Sequence, residues 1–177
     1  MGKPTEPKPV KLFTGLLTGV PEILASVEDL LQQEFGPVDN ESKIIPFDFT
    51  DYYREEMGEG IKRKFLSFDR LVDPGKLSEV KLITNEMEEE ISAGTDFEPE
   101  RPVNIDPGYV GLSKMVLATT KNYSHRLYLG DGIYAEVTLQ YRDGCFQPQS
   151  WTYPDYRSEA YIDFFDRVRK RYRRQLD

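Results

Sequence analysis

The sequence predicts an α+β fold: a mainly antiparallel sheet with helices packed on it. Three observations carry this. Runs with a period of two and runs with a period of 3.6 interleave from residue 10 to residue 105 in the order β-α-β-β-α-β. A Gly130-Asp131-Gly132 turn joins two alternating runs between residues 124 and 141. A closing segment, 155–176, places Tyr161, Phe165, Val168 and Tyr172 on one helical row.

Taken in order, residues 1–9 (MGKPTEPKP) are Pro- and Lys-rich and read as a flexible arm, with 10–177 as a single globular domain. Residues 10–17 (VKLFTGLL) are apolar enough for a central strand. Residues 21–35 read as a helix, with Pro21 at the first turn, an apolar stripe through Ile23, Val27, Leu30 and Leu31, and Gly36 as the stop. Residues 44–50 (IIPFDFT) alternate, and Pro46 places that strand at an edge. A strand over 61–72 follows. Asp73-Pro74 then caps a helix carrying Leu77, Val80, Ile83, Met87 and Ile91; the run EVKLIT inside it also suits a strand. After an acidic loop, 94–102, and a short strand, 103–105, Asp106-Pro107-Gly108 repeats the Asp73-Pro74-Gly75 signal. It predicts a second capped helix to about Lys121. The first six elements form the split βαβ pattern of a ferredoxin-like start, and the later hairpin extends the sheet.

Composition narrows the function classes. The hydrophobic fraction of 38% and charged fraction of 31% suit a soluble globular chain, and 11 Tyr and 10 Phe predict an aromatic core. The single cysteine, Cys145, cannot form an internal disulfide. With no apolar leader and no 18-residue apolar run, the expectation is a cytoplasmic protein without membrane contact. A net charge of -8 argues against DNA binding. Charge is uneven, however: 86–100 is acidic and 167–174 (RVRKRYRR) is basic. The basic run reads first as a complement to a helix C-terminus, and second as a contact for RNA or protein through Arg167–Arg174.

The hairpin can be read in register. A three-residue loop pairs Leu129 with Ile133, Tyr128 with Tyr134, Leu127 with Ala135, Arg126 with Glu136 and His125 with Val137. One face then carries Leu127, Leu129, Ile133, Ala135, Val137 and Leu139, and is expected to be buried. On the other face Arg126 and Glu136 read as a surface pair. His125, the only histidine, falls on the apolar face. It is either a core or rim histidine held by a backbone carbonyl, or a proton carrier.

Phosphate-cradling Gly-rich loops of the common kinds are absent, and one His with one Cys cannot build a common zinc site, so no metal ligand set is implied and the cofactor is left open. The polar residues that suit a site lie at strand ends and helix starts. Asp48, Thr50 and Asp51 in PFDFTDYY could hold a cation or a polar ligand, or serve as a turn cap and solvated side chains. Lys114, Thr119, Thr120 and Lys121, at the end of the expected third helix, could form an anion pocket with Arg126 and His125, or complement the helix dipole. WTYPDYRSE (151–159) could close over a planar ligand or pack as a helix start.

The blocks PVKLFTGLL (9–17), IPFDFTDYYREEMG (45–58), FLSFDRLVDP (65–74), KLITNEMEEE (81–90), NIDPGYVGLSKMVLATTKNYSHRLYLGDGIYAEVTLQY (104–141) and WTYPDYRSEAYIDFF (151–165) resemble an uncharacterised prokaryotic family, a domain of unknown function. The resemblance implies no catalytic residues. Some members carry an automatic GTP-binding label. This chain departs from that label, having neither a Walker A motif nor Asn-Lys-x-Asp.

Two functions are therefore expected as alternatives. One is binding of, or chemistry on, a small anionic metabolite or nucleotide. His125 and Asp51 would act as catalytic groups, and Asp48, Thr50, Asp106, Lys114, Thr120, Lys121 and Arg126 would bind the ligand. The other is a non-catalytic interaction or regulatory module with a protein or RNA partner. Oligomeric state is open.

Overall fold

Strand β1 (Val10–Thr18) is buried along its whole length, as its run of apolar residues predicts. The structure, a computed structural model, describes residues 2–50, 52–94 and 97–177. β1 pairs antiparallel with β4 (Lys62–Val72) on one side and β5 (Asn104–Val110) on the other. With β2 (Val38–Glu41), β6 (Lys114–Thr119), β7 (Arg126–Gly130) and β8 (Ile133–Arg142), the order is β2-β4-β1-β5-β6-β8-β7. β3 (Ile45–Pro46) joins β4, and β9 (Cys145–Pro148) joins β8, completing a nine-stranded antiparallel sheet. The fold is α+β.

Alternation along β1 sends neighbouring residues to two cores. Leu12 and Leu16, with Leu66, Phe68 and Ile105, meet Leu24, Val27 and Leu31 of helix α1 (Leu24–Phe35). On that face too lies helix α3 (Leu77–Ala93), contributing Val80. Phe13 and Phe65, with Met115, Leu139 and Phe146, meet Tyr161, Phe164, Phe165 and Val168 of helix α4 (Glu159–Leu176). The expected α4 row is thus buried. Phe65 is surrounded by the rings of Tyr156, Tyr161, Phe164 and Phe165, with centroids 4.6–5.9 Å away. Helix α2 (Arg54–Met57) is one turn, anchored by Met57 beside Leu17, Phe47 and Ile61. Among the described residues, no helix is long and apolar enough to cross a membrane.

The helix expected over 106–121 is instead the β5–β6 hairpin. At Asp73 the carboxylate accepts the Gly75 N–H at 2.8 Å, and an apolar row of period 3.6 follows. At Asp106 the carboxylate turns to Arg63, and the following residues alternate. Val110, Met115 and Leu117 join the α4 core; Val116 and Ala118 face Leu77 and Ile133 on the α3 side. Gly108 permits the hairpin, because a Cβ there would lie 2.4 Å from the Val116 carbonyl oxygen and 2.6 Å from the Phe13 ring. The strand expected over 44–50 is likewise reduced to Ile45–Pro46, with the Phe47 N–H donated to the Ile61 carbonyl at 2.9 Å. The second strand is β2. Its polar sequence (VDNE) reads as loop, but Asp39 finds a buried cation there.

The β7–β8 ladder keeps Arg126–Glu136, Leu127–Ala135 and Tyr128–Tyr134, then pairs Gly130 with Ile133. The loop is one residue shorter than expected. Leu129 is bulged, and Gly130, Asp131 and Gly132 all have positive φ (123°, 52° and 78°). The expected His125–Val137 pair does not form. A second irregularity reassigns the faces. β6 pairs Met115 with Leu139 and Val116 with Val137, skipping Thr138. Leu139 therefore stays on the α4 side, while Ile133, Ala135 and Val137 turn to the α3 side. Leu127 is left 73% exposed, and Glu136 is only 2% exposed. The Arg126–Glu136 pair is buried rather than a surface pair.

Candidate functional site

β5 and β6 pair only over Gly108–Val110 and Met115–Leu117. β1 nevertheless holds β5 as far as Asn104, and β8 holds β6 as far as Thr119. The sheet therefore forks. The Ile105 peptide, which an adjacent strand would satisfy, is met by side chains from α3: its N–H donates to Glu88 Oε1 at 2.7 Å, and Lys81 Nζ donates to its carbonyl at 2.9 Å. By strand alternation Pro107 turns its nitrogen to the same side, so its missing N–H forfeits no ladder bond. The fork opens onto a cavity of about 910 Å³.

Its floor is built on Arg63 of β4, which shares sheet parity with Phe65 and is 3% exposed. Nη1 lies 3.3 Å from Asp106 Oδ2 and Nη2 lies 3.4 Å from Asp155 Oδ2. The rings of Phe47, Phe65 and Tyr156 surround the guanidinium at 5.5, 5.4 and 5.9 Å. One cation thus serves two carboxylates. Burial alone would raise the Asp106 pKa, but Lys81 and Arg63 hold it below the ordinary carboxylate value. Asp155 moves the opposite way, because burial outweighs Arg63 and the Asp106 charge adds to it. Burial also pushes Tyr156 well above its usual range, Tyr53 up to about 12, and Glu88 upward despite Lys81 and Arg101. Among the described residues, Arg63 Nε and Tyr156 OH are buried without a hydrogen-bond partner, in side chains that line this cavity.

The opposite wall is Glu136. Its Oε2 accepts from His125 Nε2 and from Arg126 Nε, both at 2.9 Å, and its Oε1 accepts from Thr138 at 3.1 Å. Arg126 also donates to the Lys121 carbonyl and the Tyr153 hydroxyl, each at 2.9 Å, so each of its three nitrogens has a partner. Lys121 differs. Its Nζ lies 3.3 Å from Tyr52 OH and 4.9 Å above that ring, with no carboxylate in ion-pair reach among the described residues. It marks the mouth, beside Thr50, Thr119 and Thr120.

The cavity thus gathers Thr50, Asp106, Thr120, Lys121 and Arg126. Asp48 is exposed and does not line it. Lys114 starts β6 at the far end of that strand, so the expected polar group at a helix end is divided along a strand. Asp51 lies outside the described residues. His125 occupies a neighbouring cleft, stacked on Trp151 (5.3 Å, 13°) and tilted against Tyr123. It is held by a carboxylate rather than by a backbone carbonyl. Lys121, Arg126 and Tyr153 line both spaces. The basic run of α4 is partly engaged in structure: Arg171 reaches Asp39 and Asp69, and Arg169 reaches the Leu112 carbonyl and the Tyr141 ring.

Arg63, Lys81, Glu88 and Asn104 carry the site without having been singled out by sequence reasoning, whereas Asp155 and Tyr156 lie in the 151–159 segment that reads as a cover for a planar ligand or a helix start. Two signals were present. Arg63 alternates in step with Phe65, and Lys81 and Glu88 are seven residues apart beside the buried row of α3. Among the described residues, no cluster of three or more His, Cys, Asp or Glu side chains is placed to hold a metal.

The chain belongs to the family described as a domain of unknown function, DUF4416, whose pattern matches residues 8–172. Among curated proteins none matches the chain, and among solved structures none matches it either.

Proposed function

We propose that the protein binds a small anionic metabolite or nucleotide in the cavity at the β5–β6 fork. The observation that carries this is a concave space of about 910 Å³ whose floor holds buried, unpartnered polar atoms and whose mouth holds Lys121. Its size lies in the range of small-molecule sites, and folded proteins rarely leave buried donors unmet without reason. Within this reading Lys121, with Thr50 and Thr120, receives the anion, and Arg126 is a positioning residue that fixes the wall. Asp48 and Lys114 are kept as ligand-binding residues, and Asp51 is kept with His125 as a catalytic group. His125 is the proton carrier. Glu136, a pure acceptor when ionised, fixes the proton on Nε2 and leaves Nδ1 for exchange.

Thermal denaturation of the protein with nucleotides and phosphorylated metabolites, with and without Mg²⁺, tests the proposal. A bound anion should raise Tm, and Lys121→Ala should reduce the rise. Unchanged Tm with every compound would reject it. His125→Ala and Asp51→Asn test the catalytic assignment separately, and full activity or affinity in both would reject that part alone.

The single cysteine, which cannot form an internal disulfide, supports a cytoplasmic setting. The strand order β2-β4-β1-β5 supports the ferredoxin-like reading of the first part of the sheet. The alternative function, a non-catalytic module for a protein or RNA partner, draws on the terminal strand β7, where Leu127 and Tyr128 are exposed. A Leu127→Lys variant that loses a reproducible partner while keeping its ligand-induced Tm shift would favour it.

A further inference from the structure

From the distribution of charge we infer that the cavity holds its ligand in one orientation. The anionic end lies at the Lys121 mouth, and an uncharged, hydroxyl- or amide-bearing end lies on the Arg63–Asp106–Asp155 floor. This rests on the binding proposal above and specifies its ligand: a phosphorylated sugar or a nucleoside phosphate, rather than a simple anion.

The floor is unsuited to an anion. Arg63 is shared between two carboxylates. Lys81 is engaged by the Ile105 carbonyl and lies 4.0 Å from Glu88. Arg101 contacts Glu88 at 2.8 Å, Glu56 at 3.5 Å and the side-chain oxygen of Asn104. These three cations are already matched, so a phosphate placed here would meet Asp106 and Asp155 without a free counter-charge among the described residues. The floor is suited to a group that both donates and accepts. Arg63 Nε and Tyr156 OH offer hydrogens unpartnered among the described residues, and the two carboxylates accept. A sugar hydroxyl does both, and so does the amide edge of a heterocycle.

The mouth has the opposite character. Lys121 is a cation with no carboxylate in ion-pair reach among the described residues. Thr50 Oγ1 accepts the Tyr52 N–H at 3.1 Å, and Thr119 Oγ1 accepts the Lys121 N–H at 3.2 Å. A hydroxyl that accepts from the backbone keeps its own hydrogen to donate, so both can point one at a phosphate oxygen. Tyr153, Tyr53 and Phe49 wall the space between the two ends with ring surface that suits the apolar face of a sugar or base.

Calorimetric titration of the full chain with inorganic phosphate, ribose, ribose 5-phosphate, adenosine and adenosine 5′-monophosphate tests the orientation. At least one organic phosphate should bind about tenfold or more tightly than inorganic phosphate, since only it reaches both ends. The stronger of the two identifies a sugar or a heterocycle as the floor group. Lys121→Ala should weaken that phosphate about tenfold and leave its unphosphorylated counterpart unchanged. Tyr156→Phe should weaken both by a common factor; Asp155→Asn should do the same, and the two variants check each other if one fails to fold. Inorganic phosphate binding as tightly as the organic phosphates, or tightening in Asp155→Asn, would overturn the orientation while leaving the binding proposal standing. No binding by any of the five would overturn both.

Discussion

Two buried charge clusters lie on the α4 side of the sheet, and they are built differently. At one end Lys11, fully buried, pairs with Asp39 and also reaches the Gln175 side chain and the Asp69 carbonyl. Asp39, 2% exposed at its side chain, accepts in addition from Ser67 and Arg171. At the other end Arg63 faces Asp106 and Asp155 at the longer distances of 3.3 and 3.4 Å, and Arg63 Nε and Tyr156 OH are unpartnered among the described residues beside an open cavity. The first cluster is closed and the second is incomplete. Burial of charge alone therefore does not mark a site; what distinguishes the second cluster is unmet hydrogen-bonding capacity together with space.

The largest expected effect comes from breaking the closed cluster. Asp39→Ala leaves the buried Lys11 ammonium with only the neutral Gln175 and Asp69 carbonyl oxygens, and should cost about 3–5 kcal/mol. Asp155→Ala performs the same operation on the open cluster. It should cost under about 2 kcal/mol, because Asp106 still faces Arg63 and the cavity admits solvent. Urea midpoints at an unchanged m-value measure both. Equal losses would erase the distinction between the clusters.

Much of the fold was legible, and the misreadings have specific causes. The β1 run, the α1 stripe, the Asp73 cap and the α4 row were carried by local periodicity. The Asp106-Pro107-Gly108 triplet was misread because it matches Asp73-Pro74-Gly75 residue for residue. What separates the two is long-range: Arg63, 43 residues away, takes the Asp106 carboxylate that would otherwise cap a helix. β2 was invisible because Asp39 and Asn40 have low strand propensity, which Lys11 and Ser67 override through tertiary contacts. In the hairpin, three cross-strand pairs were readable. The skip at Thr138 was not, and it alone moves Glu136 from an outer face to the cavity wall. The site was legible in part for the same reason. Lys121, Thr120 and Thr50 lie on short polar segments, whereas Arg63, Lys81 and Asp155 meet only once the sheet forks.

A smaller effect should separate the clusters by pH. Asp39 is held below the ordinary value of 3.8: burial opposes this, but the Lys11 and Ser67 hydrogen bonds prevail. A depressed carboxylate contributes stability that is present above 3.8 and lost as pH falls through the folded value. Asp155 is raised by burial, so its contribution is present below 3.8 and lost as pH rises through its folded value. Asp39→Asn should therefore flatten the acid limb of the stability profile. Asp155→Asn should instead gain on the parent protein as pH rises from about 3 toward neutrality. Denaturation midpoints across that range check both, and parallel profiles for the two variants would contradict the assignment.

The smallest expected effects come from removing single hydroxyls. Tyr172 OH donates to the Pro9 carbonyl at 2.8 Å, so Tyr172→Phe leaves that acceptor bare and should cost about 1 kcal/mol. Tyr156 OH is buried with no partner, and its removal relieves an unmet group rather than breaking a bond. Tyr156→Phe should be neutral or stabilising by up to about 1 kcal/mol in the free protein. Differential scanning calorimetry of the pair separates the two cases, since each variant removes the same atom from a buried ring. If Tyr156→Phe costs as much as Tyr172→Phe, the hydroxyl already has a partner in the resting protein, and the open cluster loses the feature that sets it apart from the closed one.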